Sequence, residues 1–369
     1  MLAELLADTE ELVRCESPSA DAEAVARSAD VVARIGARRL GVTPERLGSH
    51  LRWRLGAGPS RVLLLGHHDT VWPLGSLATH PYTVDGGIMR GPGCFDMKAG
   101  LALAFRVAAG RSGVTLLVTG DEELGSPGSR ELIEEEARAA DAVLVLEASA
   151  PGGALKTERK GVSRYDVEVT GRAAHAGLEP ERGHNATVEL AHQVLAVAAL
   201  ADPAHGTTVT PTLMSAGTAT NTVPASGSVA VDVRVRTAAE QERVDVAMRA
   251  LRPVVAGTSV DVRGGPNRPP LAASASAALF ARAARIAAEL GRPELRGVAV
   301  GGGSDGNLTA GVGTSTLDGL GAVGGGAHAD DEHVLIGELV PRAALLSALL
   351  DELLAVPTNQ AAPAGSRRP

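Results

Sequence analysis

Three short runs of this chain are apolar almost without a break: "RVLLL" (61–65), "VTLLVTG" (114–120) and "AVLVLE" (142–147). A strand exposed on one face alternates apolar and polar residues, whereas an unbroken apolar run of strand length is buried on both faces. The segments between the runs, "MKAGLALAFRVAA" (97–109) and "PGSRELIEEEARAA" (127–140), read as helices, as does 21–39. Doubly buried strands separated by helices require a sheet covered on both sides, which is the α/β class. Aromatic residues make up only 2% of the chain, so Val, Leu and Ala must fill the core.

Beyond residue 157 the pattern changes. "SRYDVEVTG" (163–171) alternates, 184–201 is helical, "TTVTPTLMSAG" (207–217) and "SVAVDVRV" (228–235) are strands, 238–252 is helical and "SVDVR" (259–263) is a strand. The order β-α-β-β-α-β belongs to a ferredoxin-like sandwich. "GGPNRPP" (264–270) reads as a Gly/Pro linker, after which helix–strand alternation resumes at 274. At 369 residues the chain exceeds the usual size of one core. The expected organisation is a larger α/β domain (1–158 and 269–356), a smaller one inserted at 159–268, and a disordered tail at 357–369.

A formal charge of −8, with acids and bases interspersed, argues against a nucleic-acid partner. No stretch has the apolar length of a membrane span. Cys15 and Cys94 do not amount to a disulfide framework, and the start "MLAELLADTEELVRC" carries acids where a secretion signal has bases. A cytoplasmic location is the expectation.

Chemistry-bearing residues gather where loops leave predicted strands, the usual ligand position in open α/β sheets. In "GHHDTV" (66–71), His67 and Asp69 share a face and His68 points the other way. A metal-bound imidazole commonly passes its second N–H to a carboxylate, which suits His67 with Asp69 behind it. In "GPGCFDMKAG" (91–100), Asp96 stands at a helix start, where an N-cap is the simplest role. Lys98 reads as a solvated or capping charge and Cys94 as a small buried thiol. "TGDEELGS" (119–126) packs three acids at the end of a buried strand, a costly arrangement unless cations compensate it. Glu147 ends a further strand, and "GGGAHADDEHV" (324–334) delivers His328 on a glycine-rich run. Two histidines and several carboxylates suit zinc or a comparable divalent metal. His80, His184, His192, His205 and His333 read as surface or cap residues. Trp53 and Trp72 read as packing residues, and "EEEARAA" as a solvated helix face.

"GHHDTV", "GPGCFDMKAG" and "GDEELGS", in this order and spacing and joined by "GRAAHAG" (171–177), resemble the dinuclear zinc metallopeptidases. That family includes glutamate carboxypeptidase, the aminoacylases, acetylornithine deacetylase and succinyl-diaminopimelate desuccinylase. The resemblance spans nearly the whole chain. It implies a zinc-exopeptidase-like catalytic domain, a central mixed sheet flanked by helices, with an inserted ferredoxin-like α+β dimerisation (lid) domain. It implies two zinc ions, with cobalt or manganese as substitutes: His67 and Glu147 on one, Glu123 and His328 on the other, and Asp96 bridging. It further implies a cis Asp96–Met97 peptide, Asp69 orienting His67, and Glu122 as general base. His175 would reach the partner subunit's site to stabilise an oxyanion. Asn221, Arg234 and, by a looser match, Arg268 would bind substrate, and the backbone of Gly302 and Gly303 in "GGGSDG" would cup its carboxylate. The implied activity is hydrolysis of an amide or peptide bond next to a free carboxylate, by a homodimer acting on a small molecule or peptide. Glu at 147 leans toward a glutamate carboxypeptidase-like enzyme. N-acyl amino acid deacylation is the alternative, and a non-catalytic binding protein a distant third.

Overall fold

The computed structural model describes residues 1–355; the expected tail at 357–369 lies outside them. The chain opens with helices α1 (Leu2–Arg14) and α2 (Ala22–Leu40) and strands β1 (Glu45–Leu47), β2 (His50–Leu55) and β3 (Val62–His67). Helix α3 (Ala99–Ala108), strand β4 (Val114–Thr119), helix α4 (Arg130–Arg138) and strands β5 (Ala142–Val145) and β6 (Leu155–Arg159) follow. Near the C-terminus come helix α5 (Ala273–Glu289), strand β7 (Gly297–Val300), helix α6 (Asp305–Gly311), strand β8 (Ser315–Leu317) and helix α7 (Ile336–Ala355).

Six of these strands form one mixed sheet in the order β1-β2-β4-β3-β5-β8. Strand β3 runs parallel to both β4 and β5, and β2 runs antiparallel to β4. The apolar runs are thus the centre of the sheet, and successive residues of β3 serve opposite faces. Leu64 packs with α1, α2, α3 and α7 in the larger core, whereas Leu63 and Leu65 pack with Ile133 of α4 and Leu308 of α6. All three leucines are fully buried, each worth about 1.5–3 kcal/mol of transfer free energy. The α/β architecture expected from the apolar runs is what forms.

Residues 161–268 build a separate four-stranded antiparallel sheet. Its members are β9 (Gly161–Thr170), β10 (Thr208–Ala216), β11 (Ser226–Val235) and β12 (Ser259–Arg268), in the order β10-β11-β9-β12. Helices α8 (Ala186–Ala198) and α9 (Ala238–Arg249) cover one face, meeting Val229, Val231, Val233 and Val235 of β11. This is the ferredoxin-like order. One reading is corrected: "GGPNRPP" is a strand as far as Arg268 rather than a linker, because Gly264, Gly265, Pro266 and Arg268 pair with residues 162–165 of β9. A register shift between Pro266 and Arg268 absorbs the proline, which has no N–H to give the ladder.

Two charges expected in solvent lie inside. Lys98 is 1% exposed, with its ammonium donating to the Cys15 carbonyl at 3.0 Å, and burial brings its pKa down to about 8. Within "EEEARAA", Glu136 is buried between Arg52 and Arg54, each at 2.6 Å. Both positions look exposed by local periodicity, and tertiary packing covers them.

Candidate metal centre

The site assembles from loops at the C-terminal ends of β3, β4 and β5. At the end of β3 the chain's alternation separates the two histidines. His68 turns toward α2, where Ser28 Oγ lies 3.0 Å from Nδ1 and the Ser49 carbonyl lies 2.9 Å from Nε2. Burial holds its pKa down at about 4, so it is a neutral structural residue. His67 turns the other way, with Nε2 3.4 Å from Glu147 and 3.6 Å from Asp96. Its Nδ1 lies 2.9 Å from the Asp69 backbone carbonyl and 3.4 Å from the Asp69 carboxylate. The ring is therefore oriented by residue 69, chiefly through its main chain. The Asp69 carboxylate spends its own bonds on Ser19 Oγ (2.7 Å) and on the amides of Glu122 and Glu123 (3.2 Å each). One residue thus positions the imidazole and the diglutamate turn together. Burial opposes the charge on Asp69, but the contacts with His67 and Ser19 outweigh it and hold its pKa down at about 2.

Six donor side chains converge. His67, Glu122 and Glu147 form one group with ligand atoms within 4.8 Å of one another, and Asp96, Glu123 and His328 form a second. Asp96 joins the groups, since one carboxylate oxygen lies 3.6 Å from His67 and the other 3.3 Å from His328. The oxygen facing His67, Oδ1, is buried without a hydrogen-bond partner. Buried carboxylates at this density need compensating positive charge. An orphaned carboxylate oxygen among imidazole and carboxylate donors fits a pair of divalent cations. Without a cation the histidines supply the charge as protons. Burial opposes charging His67, but the neighbouring carboxylates of Asp69, Asp96 and Glu147 lift its pKa well above the ordinary value. Bonds to Asp96 and Glu123 lift His328 to about 10.

The backbone at the site is unusual. Asp96–Met97 is a cis peptide. Among the described residues the non-glycine positions with left-handed φ are Ser126 (60°) and His328 (63°), and both lie here. A left-handed φ at a non-glycine residue costs on the order of 1 kcal/mol and persists where surrounding contacts impose it.

Those contacts come from residues that sequence reasoning passed over. Glu332 is buried, and its carboxylate accepts from Trp72 Nε1 (2.6 Å) and from the amides of Gly93 (2.9 Å), Phe95 (2.8 Å) and Asp96 (3.0 Å). It braces the Asp96 turn as a whole, and burial raises its pKa. Arg159, also buried, pairs with Asp318 at 2.7 Å and reaches Glu147 at 3.4 Å and the carbonyls of Gly302 (3.1 Å) and Gly303 (3.3 Å). The Gly302–Gly303 carbonyls thus point to Arg159. Asp305, at the start of α6, accepts from Thr119 Oγ1, Ser126 Oγ and Arg268.

Arg268 lies elsewhere than a substrate-gripping role predicts. It is 5% exposed, and its Nη2 donates to Glu122 Oε1 at 2.8 Å, the Glu122 carbonyl and Asp305 at 3.0 Å each, and Ser126 Oγ at 2.9 Å. Burial drives the Glu122 pKa well above the carboxylate range, with Arg268 opposing that shift. What Arg268 holds is the expected general base.

The remaining predicted residues stay apart from the cluster within one chain. His175 and Asn221 are exposed neighbours on a two-strand ribbon of Ala174–His175 and Thr222–Val223. The His175 Nδ1 accepts from the amides of Gly177 and Leu178 at 3.1 Å each, which leaves Nε2–H as the outward-facing donor. Arg234 sits on the sheet face opposite the helices, in a two-bond pair with Asp232 at 2.7 and 2.9 Å.

Comparison with known proteins agrees with this geometry. Residues 63–352 match the model of peptidase family M20/M25/M40. The chain is 32% identical over 364 residues to carboxypeptidase G2 of a Pseudomonas species, covering 92% of this chain and 87% of that protein. It is 29% identical to a succinyl-diaminopimelate desuccinylase of Methylorubrum extorquens, covering 81% and 84%. The fold is similar to that of the M20 family metallo-carboxypeptidase Sso-CP2 from Sulfolobus solfataricus, with a TM-score of 0.77 at 16% identity and coverage of 96% and 100%. With the strand-end donors and a family match over most of its length, the chain belongs to peptidase family M20/M25/M40, hydrolases of peptide and amide bonds.

Proposed function

We propose that this protein is a zinc-dependent, glutamate carboxypeptidase-like amidohydrolase that cleaves the bond next to a free carboxylate and acts as a homodimer in the cytoplasm. The observation that carries the reading is the pair of donor groups joined through Asp96. His67 and Glu147 would hold one metal, Glu123 and His328 the other, with Asp96 shared. When bound, two such ions supply Lewis acidity and a lowered water pKa. Glu122 carries protons to and from the reacting groups: it is buried next to His67 and Glu147, and Arg268 holds its carboxylate in place. Asp69 orients His67, and the Gly302–Gly303 segment cups the substrate carboxylate, anchored from behind by Arg159.

His175 and Asn221 enter the site from a second copy, with residues 159–268 as the dimerising lid. An exposed apolar surface supports this: Val188 and Leu195 on α8 are 46% and 71% exposed, and Leu213 and Met214 on the edge strand β10 are 76% and 55% exposed. The free state of Cys15 and Cys94 agrees with a reducing compartment, and no described helix is long and apolar enough to cross a membrane. Arg234 faces the substrate carboxylate once that pairing breaks its bond with Asp232.

Mixing tests the dimer. His175→Ala and Glu122→Gln proteins are each inactive, but their heterodimer contains one intact site, so a re-equilibrated equal mixture should recover about a quarter of wild-type activity. A mixture as inactive as its components overturns the shared site. For the substrate, aminoacyl-glutamates should outrun N-acyl amino acids by kcat/KM, and the reverse order selects the deacylase.

A further inference from the structure

One buried charge is left over by the catalytic reading. Arg342, on α7, is 5% exposed, and among the described residues it has no carboxylate partner. Its Nη2 donates to the Gly153 carbonyl at 2.8 Å, while Nη1 is sealed from solvent with no partner at all. The acid one turn earlier on the same helix, Glu338, is taken by Arg292. A buried guanidinium without a counter-ion is unfavourable, and burial pulls its pKa down to about 10.

Arg342 lines a cleft of about 230 Å³ that opens to solvent and contains none of the metal-donor residues. Arg292 and Arg296 line it too. Its backbone wall is the Gly152–Gly153 turn, where both residues have left-handed φ (72° and 78°). A Cβ on Gly152 would sit 3.0 Å from Arg296 Nη2, and one on Gly153 would sit 3.3 Å from Arg342 Nη2. The left-handed φ at both positions favours glycine, and a Cβ at either would crowd the end of an arginine side chain. The lining also includes the apolar side chains of Leu295, Val323 and Leu345, with Val323 next to Gly153.

We infer that this cleft binds a small amphipathic carboxylate, its anionic head between Arg342 and Arg296 and its apolar body against Leu295, Val323 and Leu345. Three arginines face two glutamates across the lining, and one of those glutamates is already paired with Arg292, so the cleft has cationic capacity to spare. The apolar side chains select against a bare inorganic anion, which would leave that surface wet. The occupant lies against structural parts of the metal centre's own loops. Gly152 follows Glu147 by five residues, Val323 precedes His328 by five, and the Ser149 amide bonds the Ala322 carbonyl at 2.9 Å.

Calorimetric titration of the metal-loaded full-length protein tests the assignment, with phenylacetate, benzylamine and inorganic phosphate as probes. Because the catalytic site also accepts carboxylates, the signal is the component lost on substitution at the cleft. Phenylacetate should bind in a component that Arg342→Met and Arg296→Gln each weaken at least tenfold, with kcat unchanged in Arg296→Gln. Benzylamine and phosphate should bind that component at least tenfold more weakly than phenylacetate. Arg342→Met matches the arginine stem in length and removes an unpaired buried charge. Arg296 is exposed, so its variant keeps the test open should the other fail to fold. Phenylacetate binding unchanged in folded variants overturns the site, and equal affinity for phosphate or benzylamine overturns the ligand class.

Discussion

Glu332→Gln is the sharpest test of how the metal centre is held. The wild-type carboxylate uses Oε2 for Trp72 Nε1 and the Gly93 amide, and Oε1 for the amides of Phe95 and Asp96. Glutamine keeps the shape but turns one oxygen into an NH2 donor. Whichever way the amide lies, two buried N–H groups lose their acceptor and face another donor. Each unsatisfied buried donor costs about 1–3 kcal/mol, so the variant should lose roughly 2–6 kcal/mol of stability. The loss falls on the turn that presents Asp96, the residue shared by both donor groups, so metal affinity must fall with it. Denaturant unfolding of the metal-free protein measures the first effect, and competition with a chromophoric chelator measures the second. Trp72→Phe removes a single donor and should cost about 1.5–3 kcal/mol, as for one hydrogen bond to a charged group. Wild-type stability together with wild-type metal affinity in Glu332→Gln would refute the brace.

Other perturbations address the donors themselves. Glu122→Gln should retain both metals by elemental analysis while kcat drops by about 10²–10⁴, the usual contribution of a proton carrier. His67→Ala should lose metal, whereas His68→Ala should keep its metal content and show only a lower melting temperature, since His68 bonds Ser28 and the Ser49 carbonyl away from the donors. Metal uptake should release protons. With its pKa at about 10, His328 holds a proton at neutral pH that a metal ion must displace. Affinity therefore rises with pH from neutrality up to that value. Titration in buffers of different ionisation enthalpy reads the release, and metal affinity independent of pH between 6 and 9 would contradict it.

The fold was legible where one local rule governed a whole element. The unbroken apolar runs placed the central sheet, and the period of two in β9 and β11 placed the second. His67 and His68 separated correctly because strand alternation decides the direction of each. The candidate donors were legible from the joint order of their motifs and the family it resembles; taken alone, Asp96 read as an N-cap. What stayed hidden depends on partners remote in sequence. Glu332 stands among "ADDE", where each acid looks solvated, and only the fold buries it under Trp72 and the Asp96 turn. Arg159 and Lys98 look like ordinary surface charges until tertiary packing buries them. Residues 264–268 carry glycine and proline, the strongest local loop signals, yet pairing with β9 overrides both. Arg268 was expected at the substrate through a loose match to a family position, but the carboxylates that it meets belong to the protein.

That last placement has a mechanical meaning. Arg268 is the final residue of β12 and so moves with the four-stranded sheet, while Glu122 and Asp305 belong to the loops and helix of the six-stranded one. The two sheets are joined covalently only through residues 159–161 and 268–270. One guanidinium therefore acts as a tie across the joint, anchored at one end to the four-stranded sheet and at the other to Glu122 and Asp305. Any rotation of one sheet against the other would stretch this tie or carry Glu122 with it, so the angle between the sheets is coupled to the setting of that carboxylate.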